Sequence, residues 1–213
     1  VPRLAFMNKM DRMGANPFKG RDALREKLGH NAVLMQIPIG AEDQFNGVVD
    51  LITKKAYYFD GDNGETVRIE DCPAELVDQM EECRSEMIDA VAEFDDEVME
   101  NYLEGNEPSE EDLHKCIKAG VNSLELTPVF MGSAFKNKGV QPLLEAVTRY
   151  LPSPLECEKP NAVRDTKEGD VKINLEPDPA ANLVMMAFKI TDEQFGQLTY
   201  TRIYQGTLNK GDT

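Results

Sequence analysis

The stretch VPRLAFMNKMDRMGANP, residues 1–17, decides the fold of this chain. Its apolar residues 3–7 predict a buried parallel strand. Residues 8–11 follow the strand as a loop, and an Asn-Pro turn signal then begins a predicted helix over residues 18–28, which Gly29 ends. Strand, loop and helix in this order form the repeating unit of a doubly wound α/β sheet, in which ligands bind at the carboxyl ends of the strands. Residues 8–11 are therefore a candidate binding loop.

This loop consists of Asn8, Lys9, Met10 and Asp11, in the N-K-x-D order by which GTP-binding proteins recognise guanine. A carboxylate such as Asp11 can accept hydrogen bonds from the ring N–H and the exocyclic amine of guanine at once, whereas adenine has no such donor pair. Lys9 can lay its methylene stem along the base plane, Asn8 can tie neighbouring loops together, and Met10 is expected to pack into the core. The alternative interpretation is an exposed loop in which Asp11 caps a helix.

A second strand, loop and helix occur much later in the chain. Residues 127–131 predict a buried strand, and residues 140–151 predict an amphipathic helix. A Ser-Ala pair means little alone, but here it ends a buried strand and precedes a helix, as the first loop does. The candidate binding residues of this second loop are Ser133, Ala134, Phe135 and Lys136.

Each polar group of the second loop has a predicted role in a nucleotide site. The backbone N–H of Ala134 can donate to the guanine carbonyl, and the small side chain lets the backbone approach the base. Ser133 can order the loop and support Asp11. Lys136 can pack on the other face of the base. No nucleophile–base pair is recognisable, so no catalytic residue is assigned.

The two strand–loop–helix units predict one α/β domain, built from residues 1–29 and 125–154, with an insert between them. The insert, residues 30–124, is acidic and predicts an α+β subdomain with four strand-like runs followed by three helices. Residues 155–181 are polar and contain proline, which predicts a linker or surface loop. Residues 182–213 predict the first strands of a β-domain.

Composition narrows the class of partner. Lys and Arg number 23 against 39 Asp and Glu, which gives a formal net charge of −16; such a surface repels nucleic-acid phosphates and favours basic partners. Four cysteines without C-x-x-C spacing argue against a zinc site. Asp95, Asp96 and Glu97 are expected to be a solvated helix start, and His114 a surface helix residue. The apolar runs are too short to span a bilayer, so no membrane contact is expected.

No G-x-x-x-x-G-K-[ST] phosphate loop occurs in the 213 residues. The sequence therefore carries candidates for reading a guanine base but none for cradling the phosphates of a nucleotide. We expect the chain to be an internal piece of a larger GTPase, and we expect this piece alone to be inactive in GTP hydrolysis.

Four segments resemble translation elongation factor G: VPRLAFMNKMDRMGANP (1–17), GSAFKNKG (132–139), YLPSP (150–154) and FGQLTY (195–200). The resemblance implies the C-terminal part of a P-loop GTPase sheet, with GTP or GDP as ligand and Mg²⁺ held by residues outside this chain. It implies that the strands of residues 182–213 begin a β-barrel domain. It implies a ribosome-dependent GTPase that moves tRNA and mRNA through the ribosome. It also implies that the acidic insert touches stalk proteins of the large ribosomal subunit, while rRNA contacts come mainly from parts outside this chain.

Several alternatives stay open at this point. A ribosome-recycling paralogue or a ribosomal protection protein would have the same build. A non-enzymatic acidic adaptor that binds stalk proteins belongs to a different class. The compact junction FGQL, residues 195–198, resembles the mitochondrial branch of the family and would place the protein in the mitochondrial matrix. The cytoplasm of a bacterium is the alternative location.

Overall fold

The chain forms two compact units, Val1–Leu151 and Pro152–Thr213. Within the described residues, no helix is both long and apolar enough to cross a membrane. The structure, a computed structural model, describes residues 1–157, 160–166, 169–194 and 196–212.

The helices and strands alternate in a mixed α/β order through the first unit, and the second unit contains strands. In chain order they are β1 (Ala5–Met7), α1 (Pro17–Leu28), β2 (Ala32–Leu34), β3 (Gln36–Ile39), β4 (Gly47–Asp50), β5 (Lys55–Asp60), β6 (Thr66–Asp71), α2 (Val77–Ala92), α3 (Asp96–Leu103), α4 (Glu110–Asn122), β7 (Thr127–Met131), α5 (Val140–Tyr150), β8 (Asn161–Thr166), β9 (Gly169–Asn174), β10 (Val184–Glu193) and β11 (Gly196–Gln205).

A three-stranded parallel sheet lies in the first unit, with strand order β1-β7-β2. Phe6 lies opposite Phe130 in the β1–β7 pair, and Val33 lies opposite Pro128 in the β2–β7 pair. All five residues of β7 are buried, as expected for the central strand of a parallel sheet. The predicted α/β character of the fold is confirmed. The central position of β7 places the end of this strand directly beside the end of β1.

The chain passes at Met35 from the parallel sheet into an antiparallel sheet with the order β3-β4-β5-β6. The Met35 N–H still donates to the Val129 carbonyl of the parallel sheet, at 3.0 Å. Gln36 then turns its side chain back, and its Oε1 accepts from the Met131 N–H at 3.3 Å. The single strand predicted over residues 33–39 is thus two strands, because its two halves pair with different sheets.

The parallel sheet extends beyond the boundary that we predicted for the insert. β2 lies within residues 30–124 and yet pairs with β7, and Val1–Leu151 forms one compact unit. The antiparallel sheet and helices α2, α3 and α4 account for most of the remaining segment. The parallel sheet thus continues to Leu34. The division of the chain into domains stays a prediction.

Capping side chains fix the helix starts that the sequence predicts. Asn16 Oδ1 accepts from the backbone N–H three residues on, at 3.0 Å, at the start of α1. Ser109 and Asp112 form a reciprocal capping box at the start of α4. Asp95 caps α3 and lies 2.7 Å from Lys115 Nζ. Asp95 is therefore a helix start with an ion pair, in agreement with the expectation for this acidic run.

His114 differs from the sequence expectation, which placed it on the surface. It is partly buried, and its Nδ1 lies 2.6 Å from the Tyr150 hydroxyl of α5. Burial, with a smaller contribution from the charge of Arg149, lowers the pKa of His114 to about 4. The ring is neutral at neutral pH and can accept from the hydroxyl. The packing of α5 on α4 is a tertiary contact, which the periodicity of α4 alone does not reveal.

The second unit, within its described residues, contains two antiparallel pairs, β8 with β9 and β10 with β11. β10 and β11 lie in the segment where we predicted strands, and the barrel stays a prediction. β8 and β9 occupy the segment 155–181, where we expected a linker. Their residues are mostly exposed, and the apolar alternation is short, with Val171 and Ile173 in β9 followed by the buried Leu175; backbone pairing over six residue pairs forms this hairpin. Phe195 of the FGQL junction lies outside the described residues.

Candidate functional site

Two loops meet at the carboxyl ends of β1 and β7. We call residues 8–11 the β1 loop and residues 133–138 the β7 loop. The backbone links them, because the Gly132 N–H donates to the Met7 carbonyl at 3.1 Å and the Met10 N–H donates to the Gly132 carbonyl at 3.0 Å. The parallel register of β1 and β7 thus continues past the strand ends. Ligand sites of α/β sheets lie at this edge.

Asn8 joins the two loops through one side-chain oxygen. Asn8 Oδ1 accepts from the backbone N–H of Ala134 at 3.0 Å and from the backbone N–H of Lys9 at 2.7 Å. Lys9 has a φ of 64°, in the left-handed region that favours glycine and asparagine. Asn8 and Ala134 are 126 positions apart in the sequence. The side chain of Asn8 therefore connects the two loops and fixes the backbone of both.

Asp11 carries the negative charge of the site. Its side chain is 9% exposed, and its Oδ2 lies 3.7 Å from Lys136 Nζ and 3.9 Å from Arg12 Nε. A hydrogen bond from the Ser133 hydroxyl holds the pKa of Asp11 below its usual value, and the Asp11 N–H and the two cations act in the same direction, while burial opposes them. The carboxylate is ionised at neutral pH and retains acceptor capacity for a ligand.

The other predicted site residues lie at different depths. Met10 is 3% exposed and belongs to the core, in agreement with its predicted packing role. Lys9 and Ala134 are exposed. Lys136 has its Nζ beside Asp11, and its packing on the face of a base stays a prediction. Phe135 is 93% exposed.

The shape of the β7 loop depends on its backbone. Ser133 and Lys138 form an antiparallel bridge, with N–H to carbonyl distances of 2.9 and 3.0 Å. A Cβ added at Gly132 would lie 2.1 Å from the Lys138 carbonyl oxygen, and a Cβ added at Gly139 would lie 2.4 Å from the Met131 carbonyl oxygen. Glycine is required at both positions because real Cβ atoms do not approach backbone oxygens so closely. Sequence reasoning did not single out these two glycines, although they bracket the loop.

The arrangement suits a planar ligand that presents donors and an acceptor on one edge. An ionised carboxylate can accept from two adjacent N–H groups, and the backbone N–H of Ala134 lies on the neighbouring loop. No group of three or more His, Cys, Asp or Glu side chains in the described part of the chain could hold a metal ion. The fold and the loop pair define a nucleotide-binding α/β domain with its ligand loops at a sheet edge.

Comparison with known families identifies this domain further. The model of the elongation factor Tu GTP-binding domain family matches residues 1–153. The chain therefore belongs to this family.

Relatives named elongation factor G match the chain over its whole length. Elongation factor G 2 of Bdellovibrio bacteriovorus is 51% identical over 212 residues, and elongation factor G of Rhodopirellula baltica is 54% identical over 212 residues. Elongation factor G 1 of Borreliella afzelii is 52% identical over 211 residues. These matches cover 99–100% of this chain and 30% of each relative. The chain is thus a homologue of elongation factor G that spans about a third of the relatives' length.

A solved structure shares the fold. A crystal structure of a protein from Thermus thermophilus has a TM-score of 0.74 and 28% sequence identity to the chain. The match covers 100% of this chain and 28% of that chain.

Proposed function

We propose that this chain supplies the guanine-recognition part of a ribosome-dependent GTPase of the elongation factor G type. The whole protein would catalyse translocation, the movement of tRNA and mRNA through the ribosome, with hydrolysis of GTP. The observation that supports this most directly is the junction of the β1 and β7 loops, where Asn8 ties Ala134 beside the ionised Asp11.

Each loop would form hydrogen bonds with different polar groups on the edge of the base. The Asp11 carboxylate would accept from the ring N–H and the 2-amino group of guanine, and the Lys9 stem would lie along the base. The Ala134 N–H would donate to the 6-carbonyl. The Ala134 N–H donates to Asn8 Oδ1 in the structure. Our proposal therefore requires this N–H to donate both to Asn8 Oδ1 and to the 6-carbonyl oxygen of the base. Ser133 and Lys136 would keep Asp11 ionised and correctly placed.

GTP and GDP are the ligands of this proposal, with Mg²⁺ at the phosphates. The residues described here provide contacts for the base. The phosphates and Mg²⁺ would be held by a phosphate loop, a motif that does not occur in these 213 residues. The chain alone is accordingly expected to hydrolyse no GTP.

The acidic surface supports a basic protein partner. Helices α2, α3 and α4 carry exposed carboxylates such as Glu82, Glu97 and Glu111, and the chain has a net charge of −16. The resemblance to elongation factor G, rather than the charge, implies that this segment contacts the stalk proteins of the large ribosomal subunit. Contacts to rRNA would come mainly from parts outside this chain.

The bacterial cytoplasm is the location that we now favour over the mitochondrial matrix. The elongation factor G relatives described above come from bacteria. The mitochondrial alternative depends on the FGQL junction alone, and Phe195 of that junction lies outside the described residues.

A chimeric protein tests the proposed function. The 213 residues would replace the matching segment of Rhodopirellula baltica elongation factor G, which is 54% identical to the chain. We expect this chimeric protein to bind GDP and to catalyse translocation on bacterial ribosomes at a rate within about tenfold of the parent. A chimeric protein that folds and binds GDP but splits ribosomal subunits without translocation would favour the recycling paralogue.

The 213-residue chain alone tests the adaptor alternative. It is expected to bind stalk protein and to show no GTP turnover. Measurable GTP hydrolysis by the chain would contradict the proposal that the phosphate site lies elsewhere. Stalk binding by the chain, combined with a chimeric protein that does not bind GDP, would favour the non-enzymatic adaptor.

A further inference from the structure

The antiparallel sheet reaches the β7 loop through the β5–β6 turn, residues 61–64. Gly64 at the end of this turn is buried, and its carbonyl accepts two side-chain amides. Gln141 Nε2, in the first turn of α5, donates at 3.0 Å, and Asn137 Nδ2, in the β7 loop, donates at 3.4 Å. One backbone carbonyl of the turn thus contacts both the β7 loop and the helix that follows it.

The turn also packs directly on the loop backbone. Gly64 has a φ of +60°, and a Cβ added there would lie 2.7 Å from the Lys136 carbonyl oxygen and 2.8 Å from the Asn137 carbonyl oxygen. Any larger residue would have to push the β7 loop away, because these neighbours are backbone atoms. Gly64 therefore sets the closest distance between the turn and the loop.

Two further contacts connect the antiparallel-sheet side to the site. Lys138 Nζ, in the β7 loop, donates to the Phe45 carbonyl at 3.0 Å. Glu42 Oε1 accepts from the Gly14 N–H at 2.8 Å, just after the β1 loop. Residues between β3 and β4 therefore contact the β7 loop and the segment just after the β1 loop.

From these contacts we infer that the β5–β6 turn is a positioning element for base recognition. Gly64, Asn137 and Gln141 hold the β7 loop at the place where the Ala134 N–H meets Asn8 and the 6-carbonyl of a guanine base. The identity of the ligand rests on the proposed function, but the positioning of the loop does not. These three residues act through the loop and do not themselves touch the base.

The inference separates two parts of guanine recognition. Asp11 reads the 2-amino group, so inosine diphosphate, which lacks that group, reports on the β1 loop. Ala134 reads the 6-carbonyl, so 6-thioguanosine diphosphate reports on the β7 loop, because it keeps the ring N–H and the 2-amino group and replaces the carbonyl oxygen by sulfur, a weaker acceptor. A shift of the β7 loop should lower discrimination against 6-thioguanosine diphosphate and leave discrimination against inosine diphosphate unchanged.

Hydrogen exchange on the 213-residue chain tests the positioning without any nucleotide. In Gly64→Ala, the added Cβ should displace the loop, and the amides of Ala134 and Lys138 should exchange about tenfold faster or more. The matched control is Gly61→Ala in the same turn. Gly61 also has a positive φ, of +91°, but its added Cβ would meet only the flexible Glu65 carboxylate. Equal exchange rates at Ala134 in the two variants would overturn the inference.

A second variant serves if Gly64→Ala does not fold. Gln141→Met keeps the size of the side chain and removes its donor to Gly64; Gln141 Oε1 is buried without a hydrogen-bond partner, so the apolar replacement should cost little stability. Its control is Gln79→Met on the exposed face of α2. We expect Gln141→Met to accelerate exchange at Ala134 about threefold, in line with the loss of one ordinary hydrogen bond.

The chimeric protein supplies the specificity readout for the same substitutions. Gly64→Ala and Gln141→Met should reduce the preference for GDP over 6-thioguanosine diphosphate, with an unchanged preference for GDP over inosine diphosphate. A uniform loss of affinity for all three nucleotides would indicate a merely structural role and would overturn the inference. If the unsubstituted chimeric protein binds no GDP, the proposed function fails, whereas the hydrogen-exchange result still decides the positioning.

Discussion

The β1 loop and the β7 loop meet at one site but are built differently. The β1 loop presents side chains, since Asn8 Oδ1 accepts two backbone N–H groups and Asp11 provides the charge. The β7 loop is held by its backbone, through the Ser133–Lys138 bridge and the close approach at Gly132. In our proposal, the first loop therefore sets ligand chemistry, whereas the second loop sets position. Substitutions should therefore change specificity in one loop and geometry in the other.

The largest expected effect is a change of ligand through the β1 loop. In the chimeric protein, Asp11→Asn should weaken GDP binding by roughly 10²- to 10⁴-fold, because two hydrogen bonds to a charged group are lost, each contributing about 1.5–3 kcal/mol. Xanthosine diphosphate should bind instead, since its 2-carbonyl can accept from the new amide. Equilibrium titration with both nucleotides measures the switch. Asp62→Asn, at an exposed position of the β5–β6 turn, is the matched control and should leave both affinities unchanged.

The next effect concerns the shape of the β7 loop. Gly132→Ala should destabilise the 213-residue chain by about 1–3 kcal/mol, because the new Cβ meets the Lys138 carbonyl oxygen at 2.1 Å. Gly20→Ala is the comparison within α1, where the new Cβ meets the flexible side chain of Met7 and alanine improves helix propensity. Urea unfolding of the two variants measures the difference. Equal stabilities would refute the requirement for glycine in the loop.

A smaller effect tests the junction between the loops. Asn8→Ala removes the acceptor for the Ala134 and Lys9 N–H groups, so the Ala134 amide of the 213-residue chain should exchange about fivefold faster, as expected for the loss of one ordinary hydrogen bond. Asn8→Asp retains a side-chain oxygen at the same place and should keep most of the protection. If both variants exchange like the original chain, Asn8 does not join the loops.

The smallest effect is electrostatic and concerns the support that the β7 loop gives to the β1 loop. Ser133→Ala removes the hydrogen bond that lowers the pKa of Asp11, so this pKa should rise toward its usual value of 3.8. A depressed carboxyl pKa contributes stability above the usual pKa, and this stability is lost as pH falls through the folded-state pKa. At pH values above the usual pKa, Ser133→Ala should therefore lose part of the stabilisation that the depressed pKa of Asp11 provides. At pH values below the folded-state pKa of Asp11, the substitution should not change this contribution to the free energy of unfolding.

Carboxyl NMR titration of the 213-residue chain measures the pKa of Asp11 in both forms. Asp95 provides an internal control, because its pKa is lowered by Lys115 and by backbone N–H groups of α3, far from Ser133 in the sequence. An unchanged pKa of Asp11 in Ser133→Ala would contradict the assigned cause.

The same contrast explains what the sequence could predict. The β1 loop was recognisable because its proposed function depends on residue types, Asn8, Lys9 and Asp11, in a fixed order after an apolar strand. The strand β7 and the helix caps at Asn16 and Ser109 were predictable for similar reasons, since local chemistry fixes them.

Features that depend on tertiary contacts were not predictable. The division of residues 33–39 between two sheets follows from the pairing of Met35 with β7, which no local pattern encodes. Lys136 lies beside Asp11, and His114 is covered by α5, because of neighbours distant in sequence. The β8–β9 hairpin forms through backbone pairing of mostly exposed residues, and its short apolar alternation at Val171 and Ile173 lies within a polar segment.

A crystal structure of the chimeric protein with GDP tests the central claim most directly, namely that the β1 and β7 loops form one guanine site. We expect the Asp11 carboxylate oxygens within about 2.7–3.2 Å of the ring nitrogen and the 2-amino nitrogen of the base, and the Ala134 nitrogen at a similar distance from the 6-carbonyl oxygen. A guanine base bound away from Asp11, or contacted by Asp11 but not by the β7 loop, would contradict the account.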